Sequence, residues 1–520
     1  MPRRSWATCL LLAVLGAVAL CIRNAYVFSY PIHENSDFAA NSILVQQAVH
    51  FNLLVGNYSR EGFHHPGPAF MYILSFGQDL FYSLLHLVPT QYNAQLLAAF
   101  LLNSAILALT ALVIYRHVRS WSIAILAISL VLVLTGDVLA WASTWMPFLY
   151  AGPLLLAAVA GVSVAVGALE DLPLFALAVG FLLHGHAAFI AIAGLYVIVV
   201  VACRLVLRRR ERRHGIRLVA PQSALWGTGL ITFLFLLPLV LDAALHWPGQ
   251  WALYWNYVHS TAQHPHTLTE AMSYVEFFWS GNHLTEALLA AAGVAAVVAV
   301  ATDPDRKRRL FLAGLLAAVV LFTLELGAYA FKGVDFLGLT YTGYFYYTIP
   351  YLTFTVLVIE ICSRMRFPTL RRIPFGVAEL PTVWGLAALA IATASWSATR
   401  SSFYSAYRGD PNLPRMTAAV VNAPERQGRP VAIDLGDPSL FTSDWTDVDG
   451  LLISASRAGY FLCVANPAWE FMMTAQYICS TTTSAGAWHI DVEANTAPVP
   501  NGYSRQPVFA DETTQVFGRS

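Results

Sequence analysis

Two carboxylates three residues apart, Glu34 and Asp37, follow the first long apolar run of the chain in Tyr30-Pro31-Ile32-His33-Glu34-Asn35-Ser36-Asp37. A carboxylate beside an apolar helix end loses part of its hydration, which raises its basicity. Within hydrogen-bond reach of a hydroxyl, such a group works as a general base. Farther along the same loop, Gly56-Asn57-Tyr58-Ser59-Arg60-Glu61-Gly62-Phe63-His64-His65-Pro66-Gly67-Pro68 brings Arg60 near the His64/His65 pair. A guanidinium grips phosphate in a bidentate way, so this group suits an anionic head group. The surrounding Pro and Gly residues set a turn. His64-His65, His184-x-His186 and His264-x-His266 are also pairs of good zinc ligands. No HExxH and no Cys-x-x-Cys accompanies them, and the pairs lie in different loops. Neither a metal nor any other cofactor is expected.

The elements that must position these residues are set by composition. Of 520 residues, 57% are hydrophobic and 12% charged, against about 25% charged in a soluble chain. Lipid must replace water over much of such a surface. No basic groove-lining segment points to nucleic acid. Apolar runs fit for crossing hydrocarbon fall roughly at 6–28, 93–115, 120–140, 146–168, 172–188, 188–204, 217–241, 284–302, 308–328, 344–362 and 379–397. The run 67–90 contains Gln78, Asp79 and His86 and is read as an interfacial helix or hairpin on the outer leaflet. With that choice the clusters Met1–Arg4, Arg116/Arg119, Arg204–Arg217, Arg306–Arg309 and Arg364–Arg372 all face the cytoplasm. They hold 19 of the 30 Lys and Arg residues, as the positive-inside rule requires. The first run lacks a clear cleavage site and is expected to stay as an anchor.

Sidedness then gathers chemistry on one face. Twelve of the 15 histidines fall in or beside outer loops or outer helix ends, with Asp137, Glu325 and Asp242 near outer ends of their spans. Ionisable groups at membrane depth cost a few kcal/mol each and usually face a polar cavity or a partner.

The order of these features resembles the GT-C superfamily of integral-membrane glycosyltransferases. It runs from a first span through an acid just outside it and a His65-Pro66-Gly67-Pro68 turn to an interfacial helix and a second span ending in basic residues. The region is similar to bacterial aminoarabinose transferases and protein O-mannosyltransferases. The string GNYSREGFHHPGPAFMYIL resembles bacterial GT-C-like membrane proteins more closely, as do WASTWMP, LHGHAAFIA and QHPHTLTEAM later on. The likeness covers roughly residues 1–400. It implies sugar transfer from a polyprenyl-phosphate donor to an acceptor hydroxyl of a glycan, lipid or protein, with inversion, on the extracytoplasmic side of a bacterial plasma membrane. Asp37 maps onto the family's catalytic acid, with Glu34 as the competing candidate. The leaving group is already a stable phosphate, so a second carboxylate is not required, unlike in glycoside hydrolysis. Arg60, His64 and His65 would hold the phosphate together with Lys332, which reads equally well as a snorkelling interfacial anchor. Tyr58, Trp141, Trp145, His264 and His266 would meet the sugar or acceptor, although interface belts are rich in Trp and Tyr in any case.

The expected fold is therefore an all-α polytopic membrane protein of about eleven transmembrane helices with a small C-terminal extracytoplasmic α/β domain. Residues 1–397, with outer loops 29–92 and 242–283, form the transmembrane module, and 398–520 the exported domain. Pro430–Leu435, Leu451–Ser454, Gly459–Val464 and Gln515–Gly518 read as strands. Cys463 and Cys479 share the outer compartment and suit a disulfide, the alternative being two buried thiols. Asp434, Asp437, Asp444, Asp447 and Asp449 lack EF-hand spacing and read as a solvated acidic surface. A transporter or flippase, or a non-catalytic polyprenyl-lipid-binding protein, is the competing function. Transporters tend to carry internal repeats, and none is found here.

Overall fold

The computed structural model describes residues 3–135, 139–214, 219–259, 265–279, 283–364, 409–438, 444–495, 497–504 and 506–519. It divides into two compact units, Met1–Asn24 with Ala99–Ser401, and Ala25–Ala98 with Ser402–Ser520.

The first unit is helical, because an apolar segment in lipid must satisfy its backbone within itself. Among the described residues, seven helices are long and apolar enough to cross a membrane. They are Arg4–Arg23, Gln91–Val118, Met146–Ala165, Phe189–Arg213, Gln222–His246, Arg306–Lys332 and Thr340–Arg364. Shorter apolar helices, Trp121–Thr135, Leu172–Gly185 and His283–Ala301, stand at three further expected spans. The run 379–397 lies outside the described residues. The expected span 344–362 falls within Thr340–Arg364, whose first part is 3-10 and second part α-helical. A 3-10 turn, Thr340–Thr348, precedes the helix Leu352–Arg364, and Pro350 between them lacks the N–H a helix interior needs. Helices approach closely where side chains shrink. A Cβ on Gly161 would meet the Tyr196 ring at 2.6 Å, and the Tyr196 hydroxyl donates to the Ala158 carbonyl at 2.7 Å. Beside the basic clusters, acids are spent on them: Asp303 accepts from Arg308 at 2.7 and 2.8 Å, and Asp305 caps the helix Arg306–Lys332.

The second unit combines most of the first loop with the C-terminal segment. Its sheet has the order β4-β3-β5-β7-β6, made of β3 Val431–Ile433, β4 Leu462–Val464, β5 Trp488–Ala494, β6 Phe509–Ala510 and β7 Thr514–Gly518. β3 runs parallel to both β4 and β5, while β7 runs antiparallel to β5 and β6. β5 alternates as a half-buried strand should, with Trp488, Ile490 and Val492 inside. Cys463 on β4 and Cys479 are joined by a disulfide with Cα atoms 5.0 Å apart.

Two expectations are corrected in this unit. Leu451–Ser454 is not a strand but part of the helix Trp445–Arg457. Val448, Leu451, Leu452 and Ala455 are buried at i, i+3, i+4 and i+7, the spacing of one helical face. Asp449 is not on a solvated surface, because its exposure is 0%.

The loop segment that carries the two candidate bases is part of this core. The helix Ser36–Val49 contributes Ala39, Ala40 and Ile43 to one apolar cluster with Leu413, Met416, Leu451, Leu452 and Met473. The segment expected to be interfacial, 67–90, forms a helix Ala69–Gly77 continued by a π-helix Gln78–Leu84.

Candidate active site

The approach to the site is fixed by buried polar contacts. Asn93 Nδ2 donates to the carbonyls of Val27 at 2.7 Å and Tyr30 at 2.8 Å. Its Oδ1 accepts from Ile32 N at 3.1 Å. Thr90 Oγ1 lies 3.1 Å from the Ile32 carbonyl. The next residue, His33, pairs with Gly409 as an isolated bridge, and the His33 carbonyl accepts from Asp410 N at 2.9 Å. Gly409 has φ +70° and no room for a Cβ against the His33 backbone, so both its conformation and its contact demand glycine.

Glu34 and Asp37 differ in what surrounds them. Glu34 is 1% exposed. It accepts from Ser42 Oγ at 2.6 Å and pairs with Arg457 at 2.6 Å. A buried carboxylate held in this way is committed to an ion pair whose loss would leave a charge unpaired. Asp37 stands in the first turn of the helix Ser36–Val49 and is only half-buried. The helix N-terminus favours its negative charge. Its carboxylate accepts a hydrogen bond from the Tyr58 hydroxyl. Ser36, directly before it, has φ +55°, a left-handed conformation that costs a non-glycine residue about 1 kcal/mol or more and that clusters at active sites. Asn35 and Thr514 Oγ1 both hydrogen-bond Asp447, the latter at 2.6 Å. This ties the start of the loop to β7. Burial raises the Asp447 carboxyl above its usual range.

Tyr58 opens a hairpin, β1 Tyr58–Ser59 with β2 Phe63–His64. Its ring meets Trp445 and Phe471 edge-on at 6.5 and 6.2 Å, and its hydroxyl orients Asp37. Arg60 is a quarter exposed and 3.6 Å from Glu61. His64 Nδ1 is 3.2 Å from the Gly56 carbonyl. That carbonyl only accepts, so Nδ1 carries the proton. His65 is 4% exposed, and its backbone bonds Gly56 and Asn57 at 2.8 Å.

The remaining candidates lie in the first unit or outside the described residues. Lys332 is exposed at the end of its helix. Trp141 is 4% exposed, and its carbonyl accepts from Asn103 at 2.9 Å. Trp145 is half-buried in an aromatic group with Phe148, Tyr341 and Tyr344. His266 Nε2 is spent on the Val334 carbonyl at 2.8 Å. His264 lies outside the described residues. Among the described residues no three His, Cys, Asp or Glu gather as a metal would need. Sequence reasoning missed Arg457 and Asp449 at the site. The one signal that could have found them is the helical period of 448–455.

No protein-family model matches the sequence, and no curated protein matches it. Among solved structures the chain is similar to the ArnT of Cupriavidus metallidurans bound to undecaprenyl phosphate. The identity is 14% and the TM-score 0.59, over 98% of this chain and 97% of that one. It is also similar to the archaeal oligosaccharyltransferase AglB of Archaeoglobus fulgidus, in complex with an inhibitory peptide and a dolichol-phosphate. There the identity is 11% and the TM-score 0.36, over 93% of this chain and 69% of that one. The chain shares the fold of that ArnT structure.

Proposed function

We propose that the chain is a glycosyltransferase that moves a sugar from a polyprenyl-phosphate donor to an acceptor hydroxyl, with Asp37 as general base. The observation that carries this reading is the contrast between the two acids. Glu34 is consumed by Arg457, whereas Asp37 is half-buried, sits at a helix N-terminus and is oriented by Tyr58. Asp37 takes the proton from the acceptor hydroxyl as its oxygen bonds to the anomeric carbon. The bond from that carbon to the phosphate oxygen breaks, and the phosphate leaves with the electron pair, so the anomeric centre inverts. A base so placed contributes about 10²–10⁴ in rate.

Arg60, with His64 and His65, is assigned to the donor phosphate. The basic clusters support a cytoplasmic N-terminus and an extracytoplasmic C-terminus in a bacterial plasma membrane. Donor and acceptor would then meet on the outer side, and the disulfide of the second unit suits that oxidising compartment.

The test is to incubate the purified full chain with undecaprenyl-phosphate-linked sugars and a panel of acceptors. Release of undecaprenyl phosphate together with a glycosylated acceptor is expected. Stoichiometric donor binding with no release across the panel would contradict the reading and favour a lipid-binding protein.

A further inference from the structure

The helix Trp445–Arg457 carries a group that the proposed chemistry does not use. Asp449 is fully buried, and neither of its carboxyl oxygens has a hydrogen-bond partner among the described residues. Its helix packs directly on the helix Ser36–Val49, which carries Asp37, the charge that Asp449 senses. The other ionisable groups on the packed elements are accounted for. Glu34 is neutralised by Arg457, and Asp447 bonds Thr514 of β7. Asp410 precedes the helix Leu413–Val421 and bonds Asn412 N, and Arg415 on that helix is exposed.

An ionised carboxylate taken out of water without a partner costs several kcal/mol, so such a group keeps its proton. Burial pushes the Asp449 carboxyl well above the usual range, and the neighbouring Asp37 charge adds to that. Two carboxyl groups that interact in this way lose their protons in two steps that belong to the pair. Of the two, Asp37 has more water and a hydroxyl donor.

We propose that Asp449 is a positioning residue: it keeps the proton of a two-carboxyl pair, so that Asp37 is the member that carries charge. That the charged Asp37 then serves sugar transfer rests on the function proposed above. A second ionisation, on Asp449, would set two negative charges between packed helices and drive Asp37 out of place. The native state binds a proton at Asp449 that the unfolded chain releases, so this site makes stability fall as pH rises above the ordinary carboxylate range.

The test is infrared titration of the full chain in detergent between about pH 5 and about pH 9. A protonated-carboxyl band that persists at neutral pH is expected in the unmodified protein and is expected to disappear in Asp449→Asn. Asp37→Asn should move its titration to lower pH by about one unit, a tenfold change in proton affinity. Where transfer is measured, Asp449→Asn should shift the alkaline limb of the pH profile to higher pH. Absence of an Asp449-dependent band at neutral pH, or a titration indifferent to Asp37→Asn, would overturn the proposal. Should Asp449→Asn fail to fold, the unmodified protein against Asp37→Asn decides alone. An intact band with no sugar transfer would contradict the proposed function and leave the pair standing.

Discussion

At the start of the first loop, Glu34, Asn35 and Gln46 are bonded to Arg457, Asp447 and Tyr477, all from the far end of the chain. At the other end of the loop, the hairpin Gly56–His65 bonds to itself through Gly56, Asn57, His64 and His65, and Tyr58 docks it on Asp37, Trp445 and Phe471. The first arrangement fixes a position and resists change. The second presents the Arg60 cation on a short turn. A base must be placed within a fraction of an ångström, whereas a phosphate clamp tolerates some motion. Under the proposed function, the two ends of one loop would meet these different demands.

The comparison breaks most visibly at the buried ion pair. Arg457→Met leaves Glu34 buried without its cation, and about 3–5 kcal/mol of stability should be lost, read as a lower melting temperature of the detergent-solubilised chain. Next in size is the covalent link. The Cys463→Ser, Cys479→Ser double variant opens a loop with a sequence separation of 16 residues and should cost about 3 kcal/mol, again in thermal melts. The hairpin should respond differently. Arg60→Ala should weaken undecaprenyl-phosphate binding by about tenfold or more with the melting temperature unchanged, measured by titration calorimetry. A fall in melting temperature as large as that of Arg457→Met would erase the distinction between the two ends.

The smallest effect is expected in the sheet. Burial, with Glu493 and Asp434 close by, pushes the Asp491 carboxyl up to about 7. The folded state therefore binds more protons than the unfolded state between the ordinary carboxylate range and that value. Stability falls as pH rises through this window. Asp491→Asn should melt higher than the unmodified protein at neutral pH and alike at acidic pH.

The motif that carries Asp37, Arg60 and the paired histidines is written in one continuous stretch, so the sequence alone groups them as candidates. The apolar runs are legible too, although Pro350 divides one of them. What escapes is whatever depends on partners distant in sequence. Leu451–Ser454 reads as a strand when seen alone, and only Val448 and Ala455 on either side disclose the helix. Asp449 belongs to an Asp-rich stretch that looks solvated, and its burial arises from a helix contributed by the first loop. The difference between Glu34 and Asp37 is not visible locally, because Arg457, which pairs with Glu34, lies near the other end of the chain.

The most direct measurement compares Asp37→Asn with Glu34→Gln in the purified full chain, reading sugar transfer per folded molecule alongside the melting temperature. Asp37→Asn is predicted to lose about 10²–10⁴ in turnover while melting as the unmodified protein does, and Glu34→Gln to melt far lower. Full turnover in folded Asp37→Asn would contradict the account.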